Sequence, residues 1–310
     1  MRAVTQDSFG DPSVLHIADV PKPTPIPSEV LVRVHATGIN PVDAMVRSGL
    51  FPMLGRPPFV LGWDISGVVE EVVPGVTRFE VGDEVYGMPF FPRAANGYAE
   101  YVAVPSRQVA RKPATLDHTH AAALPLAGLT AYQALAGVAD VGPGDRVLIH
   151  AGGGGVGHLA VQIAKARGAH VVATASAVKH DFARGLGADE VVDYRAVDIT
   201  RAIGDMDVVL DTVGGPVGRQ SIEVLRPGGL LLTIVDRTDA DLRAATIDAG
   251  RRFAGLTVEP DHVGLEALAE LVDAGKLRSY VEHALPLEDA AKAHELIESG
   301  STRGKIVLTV

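Results

Sequence analysis

Two different hydrophobic rhythms divide the chain near residue 120. Before that point, residues 30–34 (VLVRV) alternate between apolar and polar side chains, and residues 67–73 (GVVEEVV) are rich in β-branched ones, as is typical of strands. Prolines and glycines interrupt these runs, for example at 57–58 and 74–75. The pattern predicts a compact, partly closed β-structure rather than a parallel sheet.

Beyond residue 120, apolar strands alternate with helical segments. The predicted strands are 146–150, 170–176, 190–194, 207–213, 229–235 and 253–258, and the predicted helices are 157–167, 178–186, 216–225 and 262–275. Strands at this spacing predict a doubly wound parallel sheet, with its ligand across the carboxyl ends of the strands. A strand, a helix and a final strand at 305–310 follow Leu277. We expect them to complete the N-terminal β-structure, because the parallel sheet is already complete.

A glycine-rich segment joins the first strand of this sheet to its first helix. Gly152, Gly154 and Gly157 keep the spacing G-x-G-x-x-G, with Gly155 and Val156 between them. Glycine in these places permits a tight turn, close approach of a pyrophosphate, and close packing of helix against strand. The N-terminus of the helix attracts phosphate. The segment therefore predicts a dinucleotide-binding loop.

The residues after the second strand indicate which dinucleotide binds. An acid that would bond the adenosine ribose is expected there, yet none follows that strand until Asp181. Ser176 and Lys179 stand in its place, and a hydroxyl and an ammonium suit a 2′-phosphate. This favours NADP(H) over NAD(H). At the ends of the fourth and fifth strands, backbone groups are expected to meet the nicotinamide carboxamide; the candidates are Val213, Gly214, Ile234 and Val235.

The composition narrows the classes of function. The net charge of −10 argues against nucleic acid as a partner, and the absence of cysteine excludes disulfides, thiolate zinc sites and a cysteine nucleophile. A cysteine-free chain suits a reducing cytoplasm. The N-terminus lacks the apolar core of a signal peptide, and the longest apolar runs are too short to span a bilayer. We therefore expect a cytoplasmic protein without a membrane partner.

Several motifs together resemble one known family. They are GINPVD (38–43), RSG (47–49), LGWDISGVV (61–69), VGDEVYG (81–87), GYAEY (97–101), PLAGLTAYQAL (125–135), HAGGGGVG (150–157), LGADEVVDY (186–194), DTVGG (211–215) and RGKIVL (303–308). Over nearly its whole length the chain resembles the medium-chain dehydrogenase/reductase superfamily, in its zinc-free quinone oxidoreductase branch.

The resemblance implies an α/β fold of two domains. A chaperonin-like (GroES-like) β-rich catalytic domain would comprise residues 1–122 and be completed by 278–310, and a Rossmann domain would comprise 123–277. The substrate would lie in the cleft between them. Relatives commonly form homodimers through the edge strand of the Rossmann sheet, for which 253–258 is the apolar candidate here.

The resemblance also assigns residues. Ser176, Lys179 and Tyr194 occupy the positions of a 2′-phosphate pocket, and Thr130 one near the cofactor phosphates or nicotinamide. Further candidates lie at the cleft. Asn40 either orients the substrate carbonyl or nicotinamide, as a catalytic residue, or satisfies a turn; Asp43 either contacts substrate or starts a helix; Phe51 stands where some relatives carry substrate-binding tyrosines; Lys305 either reaches the cofactor or has a structural surface role.

The metal site of the zinc-dependent relatives has no counterpart here. They carry Cys where this chain has Asn40, and Gly-His-Glu where it has Gly62, Trp63 and Asp64. An amide and an indole do not hold catalytic zinc, so no metal is expected and Trp63 is interpreted as packing. Without a Lewis acid, alcohol oxidation is disfavoured, and hydride transfer from NADPH to an electrophilic acceptor remains.

Three functions stay open at this point. The first is an NADPH:quinone oxidoreductase, the second an enone or enoyl reductase, and the third a non-catalytic NADPH-binding sensor. Reduction also needs a proton. Asp43 and Asp64 are expected to be ionised near neutral pH unless strongly desolvated, so that solvent water supplies it.

Overall fold

The computed structural model describes every residue from Met1 to Val310. Its strands are β1 (Arg2–Gln6), β2 (His16–Asp19), β3 (Glu29–Ile39), β4 (Phe59–Val60), β5 (Asp64–Val72), β6 (Glu84–Gly87), β7 (Tyr101–Pro105), β8 (Val109–Arg111), β9 (Arg146–Ile149), β10 (His170–Ala175), β11 (Glu190–Asp193), β12 (Met206–Asp211), β13 (Leu225–Thr233), β14 (Arg252–Gly255), β15 (Val281–Pro286) and β16 (Lys305–Thr309).

The α-helices are fewer than the strands. They are α1 (Pro41–Ser48), α2 (His118–Ala122), α3 (Pro125–Tyr132), α4 (Gly157–Ala166), α5 (His180–Gly185), α6 (Ile199–Ala202), α7 (Pro216–Val224), α8 (Ala240–Asp248), α9 (His262–Asp273) and α10 (Ala290–Glu298). A π-helical stretch, Gln133–Val138, continues α3, and 3₁₀ turns lie at Pro12–Val14, Ala177–Lys179 and Leu287–Asp289. No helix combines the length and apolar character needed to cross a membrane.

The chain forms two compact units. The β-rich unit consists of Met1–Leu129, Glu259–Asp273 and Ser279–Val310, and the parallel-sheet unit of Thr130–Val258 and Ala274–Arg278. Helix α9, which the sequence places with the parallel sheet, packs in the β-rich unit, where Tyr86 donates a hydrogen bond to the Leu265 carbonyl. The domain limits that the resemblance implies stay a prediction.

The parallel-sheet unit has the predicted doubly wound topology. Its strands lie in the order β11-β10-β9-β12-β13-β14, and every neighbouring pair is parallel. Counted from β9, this is the order 3-2-1-4-5-6 of a Rossmann sheet, whose ligands bind outside the carboxyl ends of the strands where the order reverses. An apolar core that includes Leu148, Val172, Val209 and Leu231 fixes the sheet against its helices.

Some elements differ from their predicted bounds for physical reasons. Strand β13 begins at Leu225, because that residue already pairs with Met206 before a register shift. Helix α8 was not predicted, since only Leu242 and Thr246 of its residues are buried and no apolar stripe marks it. Strand β14 ends at Gly255, so the apolar residues after it lie outside the sheet.

The β-rich unit is organised around β3. This strand pairs antiparallel with β5, β7 and β16 within a seven-stranded sheet, while β2, β1 and β4 form a second sheet of three strands. Ile306 on β16 pairs with Ile39 on β3, so the last strand of the chain completes the N-terminal structure as predicted. The same pairing brings Lys305 to the end of β3.

Candidate functional site

The glycine-rich loop leaves the carboxyl end of β9 and enters α4 at Gly157. A Cβ atom on Gly157 would lie 2.1 Å from the Ala151 carbonyl oxygen, and one on Gly152 would lie 2.7 Å from the Ala173 Cβ. Larger residues are excluded at both positions. The N–H groups of His158, Leu159 and Ala160 donate to carbonyls of the preceding turn. The N-terminus of α4 carries the positive end of the helix dipole, which suits a phosphate. Gly154, Gly155 and Val156 form the turn before the helix.

The proposed 2′-phosphate residues follow the carboxyl ends of two adjacent strands, β10 and β11. Ser176 follows β10 and Tyr194 follows β11, and these adjacent parallel strands end in register. Ser176 is nearly buried, whereas 51% of Tyr194 is exposed. The alkyl chain of Lys179 lies over the loop, since a Cβ on Gly153 would be 3.1 Å from the Lys179 Cδ. The alkyl chain of Lys179 thus contacts the glycine loop, while a 2′-phosphate pocket formed by Ser176, Lys179 and Tyr194 stays a prediction.

No carboxylate opposes a phosphate directly after β10. The next acid along the chain, Asp181, is exposed and pairs with Arg184 at 3.2 Å between Oδ1 and Nη1. A further cation, Arg195, was not predicted from the sequence, and its Nε donates to the Tyr194 hydroxyl at 3.2 Å. Its position directly after Tyr194 was the available signal.

The residues predicted at the nicotinamide end also lie at the carboxyl edge of the sheet. The Asp211 carboxylate accepts the N–H groups of Val213 and Gly214, each at 2.9 Å, and the Asp211 carbonyl accepts the Ile234 N–H at 3.1 Å. The side chains of Val213 and Val235 are about half exposed. Thr130, in contrast, is nearly buried. The cofactor contacts of these residues stay predictions.

In the β-rich unit, Asn40, Asp64 and Lys305 form a buried polar cluster. Asn40 Nδ2 donates to Asp64 Oδ2 at 2.9 Å, and Lys305 Nζ donates to Asn40 Oδ1 and, at 2.8 Å, to the Ile39 carbonyl. Lys305 Nζ lies 3.4 Å from Asp64 Oδ2, and the Leu126 N–H bonds the other carboxylate oxygen at 2.7 Å. Burial raises the pKa of Asp64, and Lys305 and Asn40 oppose that rise.

This cluster changes the interpretation of two predicted residues. The surface role expected for Lys305 is wrong, because its side chain is almost wholly buried beneath β3. The Asn40 amide is also buried and holds partners at both its oxygen and its nitrogen, so it joins Lys305 to Asp64. Contacts of Asn40 with substrate and of Lys305 with cofactor stay predictions, as does a substrate contact of the half-buried Phe51.

Asp43 lies in the first turn of helix α1, which begins at Pro41, in agreement with the helix-start interpretation. Its Oδ2 accepts the Asn40 backbone N–H at 2.7 Å, while its Oδ1 is buried without a hydrogen-bond partner. Burial raises the pKa of Asp43 to about 7, and the bond from Asn40 opposes the rise. The structure thus supplies the desolvation under which Asp43 is no longer fully ionised at neutral pH. The predicted substrate contact has no exposed Asp43 atom to support it.

A row of buried polar side chains near Asp43 has no counterpart among the residues predicted from the sequence. Tyr98 and His294 lie edge to face, with the hydroxyl 3.3 Å from Nε2, and Arg47 Nη1 lies 3.4 Å from Nδ1. Arg47 also pairs with Glu298 at 2.6 Å. Burial and the Arg47 charge lower the pKa of His294 to about 3, so the ring is neutral. Residues so far apart in the chain gave no local signal.

The residues that replace the zinc ligands have structural partners. Trp63 is buried, donates from Nε1 to the Arg93 carbonyl at 2.7 Å and packs edge to face on Phe91, which confirms its packing role. No group of three or more His, Cys, Asp or Glu side chains in the molecule is placed to hold a metal ion. The donor set therefore does not fit a zinc centre.

Comparison with known families identifies the class of protein to which the chain belongs. The chain matches the model of the alcohol dehydrogenase GroES-like domain over residues 26–114 and that of the zinc-binding dehydrogenase over residues 186–308. Together with the Rossmann order of the parallel sheet, these matches define an oxidoreductase built from a GroES-like domain and a Rossmann-like domain.

Comparison with individual relatives identifies the branch of the family to which the chain belongs. The chain is 33% identical to the quinone oxidoreductase of Sus scrofa, over 99% of this chain and 97% of that protein. The quinone oxidoreductase of Coxiella burnetii is 40% identical and superposes with a TM-score of 0.94, over 100% of this chain and 99% of that one. The Escherichia coli quinone oxidoreductase complexed with NADPH is 28% identical, with a TM-score of 0.91 and complete coverage of both chains (100%). The protein belongs to the medium-chain dehydrogenase/reductase superfamily, in its zinc-free quinone oxidoreductase branch.

Asp43 gives a prediction about stability. Because its pKa rises from 3.8 to about 7 on folding, the folded protein keeps a proton that the unfolded chain releases. This contribution is fully present below the unfolded pKa and is lost as the pH rises through the folded one, at about 1.4 kcal/mol per pH unit. Asp43→Asn keeps an acceptor for the Asn40 N–H and abolishes the titration. We expect urea unfolding to show the wild type losing stability relative to this variant between about pH 4 and 7.

Asp248→Asn provides the control, because Asp248 is exposed on the last turn of α8. Its free energy of unfolding should follow that of the wild type at every pH. A difference between the wild type and Asp43→Asn that does not change with pH would contradict the prediction.

Proposed function

We propose that the protein is an NADPH-dependent quinone oxidoreductase. The observation that carries the proposal is the glycine loop at the carboxyl end of β9, with Ser176 and Lys179 beside it and no carboxylate directly after β10. The relatives named quinone oxidoreductase, one of them complexed with NADPH, support it. NADPH, when bound, supplies the hydride, and the protein supplies binding and orientation.

Each part of the parallel-sheet unit has a role in this proposal. The loop amides and the N-terminus of α4 hold the pyrophosphate, while Ser176, Lys179 and Tyr194 hold the 2′-phosphate. The backbone after β12 and β13 meets the nicotinamide carboxamide; the residues concerned are Val213, Gly214, Ile234 and Val235. Thr130 contributes near the phosphates or the nicotinamide.

The acceptor follows from the side chains available. Alcohol oxidation in this superfamily needs a Lewis acid for the developing alkoxide, and the amide and indole at positions 40 and 63 cannot ligate one. A quinone is already electrophilic and needs only a hydride and a proton. Asn40, fixed between Asp64 and Lys305, is the proposed catalytic residue that orients the acceptor, with Phe51 nearby in the chain.

Lys179 tests the choice of cofactor. Lys179→Ala removes a charge-assisted contact worth about 1.5–3 kcal/mol, which corresponds to roughly a tenfold to hundredfold loss of affinity. We expect the Kd of NADPH to rise by that factor and the Kd of NADH to stay nearly constant, as measured by nucleotide fluorescence. Lys276→Ala, at an exposed position of the same unit, should leave both unchanged. Equal Kd values for NADPH and NADH in the wild type would rule out the 2′-phosphate pocket.

Metal removal tests the chemistry. We expect prolonged chelation to leave NADPH-dependent reduction of a quinone panel unchanged, because Asn40 and Trp63 cannot serve as zinc ligands. Elemental analysis of the purified protein should find no stoichiometric zinc. Zinc lost together with activity would refute metal independence, and turnover of enones but not quinones would move the proposal to enone reduction.

We also propose a cytoplasmic homodimer. The dimer would form through β14, the edge strand of the parallel sheet, whose backbone is unpaired on its outer side. Phe253 on β14 is half-buried. Light scattering at micromolar concentration should give twice the 32.4 kDa mass of the chain. A monomeric wild type would dismiss this interface.

A further inference from the structure

The imidazole of His150 is buried at the carboxyl end of β9, immediately before the glycine-rich loop, and is only 2% exposed. Its Nδ1 lies 3.1 Å from the Thr174 hydroxyl on β10, and its Nε2 lies 3.0 Å from the Ser221 hydroxyl on α7. Both hydroxyl residues are buried as well. A single ring therefore joins three elements of the parallel-sheet unit at the edge where the loop begins.

The hydrogen bonds of this group have one arrangement that satisfies every donor. Ser221 donates to the Val217 carbonyl at 2.7 Å, so its oxygen accepts from His150 Nε2–H. Since a neutral imidazole carries one proton, Nδ1 then accepts from the Thr174 hydroxyl. The Thr174 oxygen accepts the Ala151 N–H at 3.2 Å. The result is a directed chain from the loop backbone, through the ring, to helix α7.

This series of hydrogen bonds reaches the glycine-rich loop at Ala151, a residue with a strained backbone conformation. Ala151 has a φ of +49°, a left-handed conformation that is costly for a residue with a side chain and persists only where its surroundings hold it. Thr174 holds it twice, since its hydroxyl binds the Ala151 N–H and its carbonyl accepts the Gly152 N–H at 2.9 Å. The Ala151 carbonyl in turn accepts the Gly154 N–H at 2.8 Å. The shape of the loop therefore depends on where the Thr174 hydroxyl points.

We propose that His150, together with Thr174 and Ser221, is a positioning residue that holds the glycine-rich loop in the shape that receives the pyrophosphate of NADPH. The inference rests on the proposed function, because it concerns the same nucleotide. Burial lowers the pKa of His150 to about 4, with Asp211 opposing, so the ring stays neutral as the chain requires.

Nucleotide fragments separate loop positioning from general stability. Thr174→Val keeps the shape of the side chain and removes the hydroxyl, and Thr174→Ser restores it. We expect Thr174→Val to raise the Kd of NADPH about tenfold, the effect of one buried hydrogen bond left unmade. The Kd of 2′-AMP, which carries the 2′-phosphate but no pyrophosphate, should stay within about twofold. Thr174→Ser should return the NADPH affinity to near the wild-type value.

A second measurement tests the hydrogen bonds of His150 in the protein without nucleotide. In ¹⁵N-histidine NMR of the full-length protein at pH 7, we expect His150 to be neutral with its proton on Nε2. Thr174→Val should reduce the preference for that tautomer, because Nδ1 loses its donor. Thr174→Ser should keep it.

The outcomes discriminate between the two proposals. Unchanged NADPH affinity in Thr174→Val, an equal loss of NADPH and 2′-AMP, or a His150 proton on Nδ1 would overturn the positioning role while the proposed function stands. If the affinities of the wild-type protein for 2′-AMP and for NADPH do not exceed its affinity for NADH, the proposed function is overturned, and the inference with it.

Discussion

The turn from β9 into α4 admits no side chain at Gly157, and the parallel-sheet unit is arranged around that restriction. The absence of a Cβ lets the first turn of the helix approach the Ala151 carbonyl, which brings the positive end of the helix dipole to the carboxyl edge of the sheet. A loop already held in one shape loses little conformational freedom when a ligand arrives. Packing and recognition are thus properties of the same few backbone atoms.

The β-rich unit contains two buried charged side chains, Asp64 and Lys305, and their removal from water has to be compensated. Asp64 and Lys305 are both buried, and each is costly without the other, since a lone buried ion leaves its desolvation uncompensated. Asn40 reduces that cost because its amide donates to the acid and accepts from the ammonium. An amide that links two charges is held in one orientation, which suits the role proposed for it.

The sequence alone predicted the layout of the molecule better than its interior. Hydrophobic rhythm and the glycine spacing are local signals, and they gave the parallel sheet, its loop and the return of the last strand to the N-terminal structure. Burial of charged residues leaves no such signal. Lys305 was expected at the surface, yet it lies under β3 because its partners are contributed by distant segments. The chain from Arg47 through His294 to Tyr98 escaped notice for the same reason.

The pairing of β16 with β3 also has a consequence for how the chain is made. A protein is synthesised from its N-terminus, so β3 and Asp64 leave the ribosome well before β16, which pairs with β3, and Lys305, which neutralises Asp64. Until Lys305 arrives, that edge of β3 is open and the acid has no counter-charge. The parallel-sheet unit, whose residues are nearly contiguous, has no such delay. If the parallel-sheet unit folds first, the segment between β3 and β16 contains fewer flexible residues. The loop-closure entropy lost when β16 pairs with β3 is then smaller.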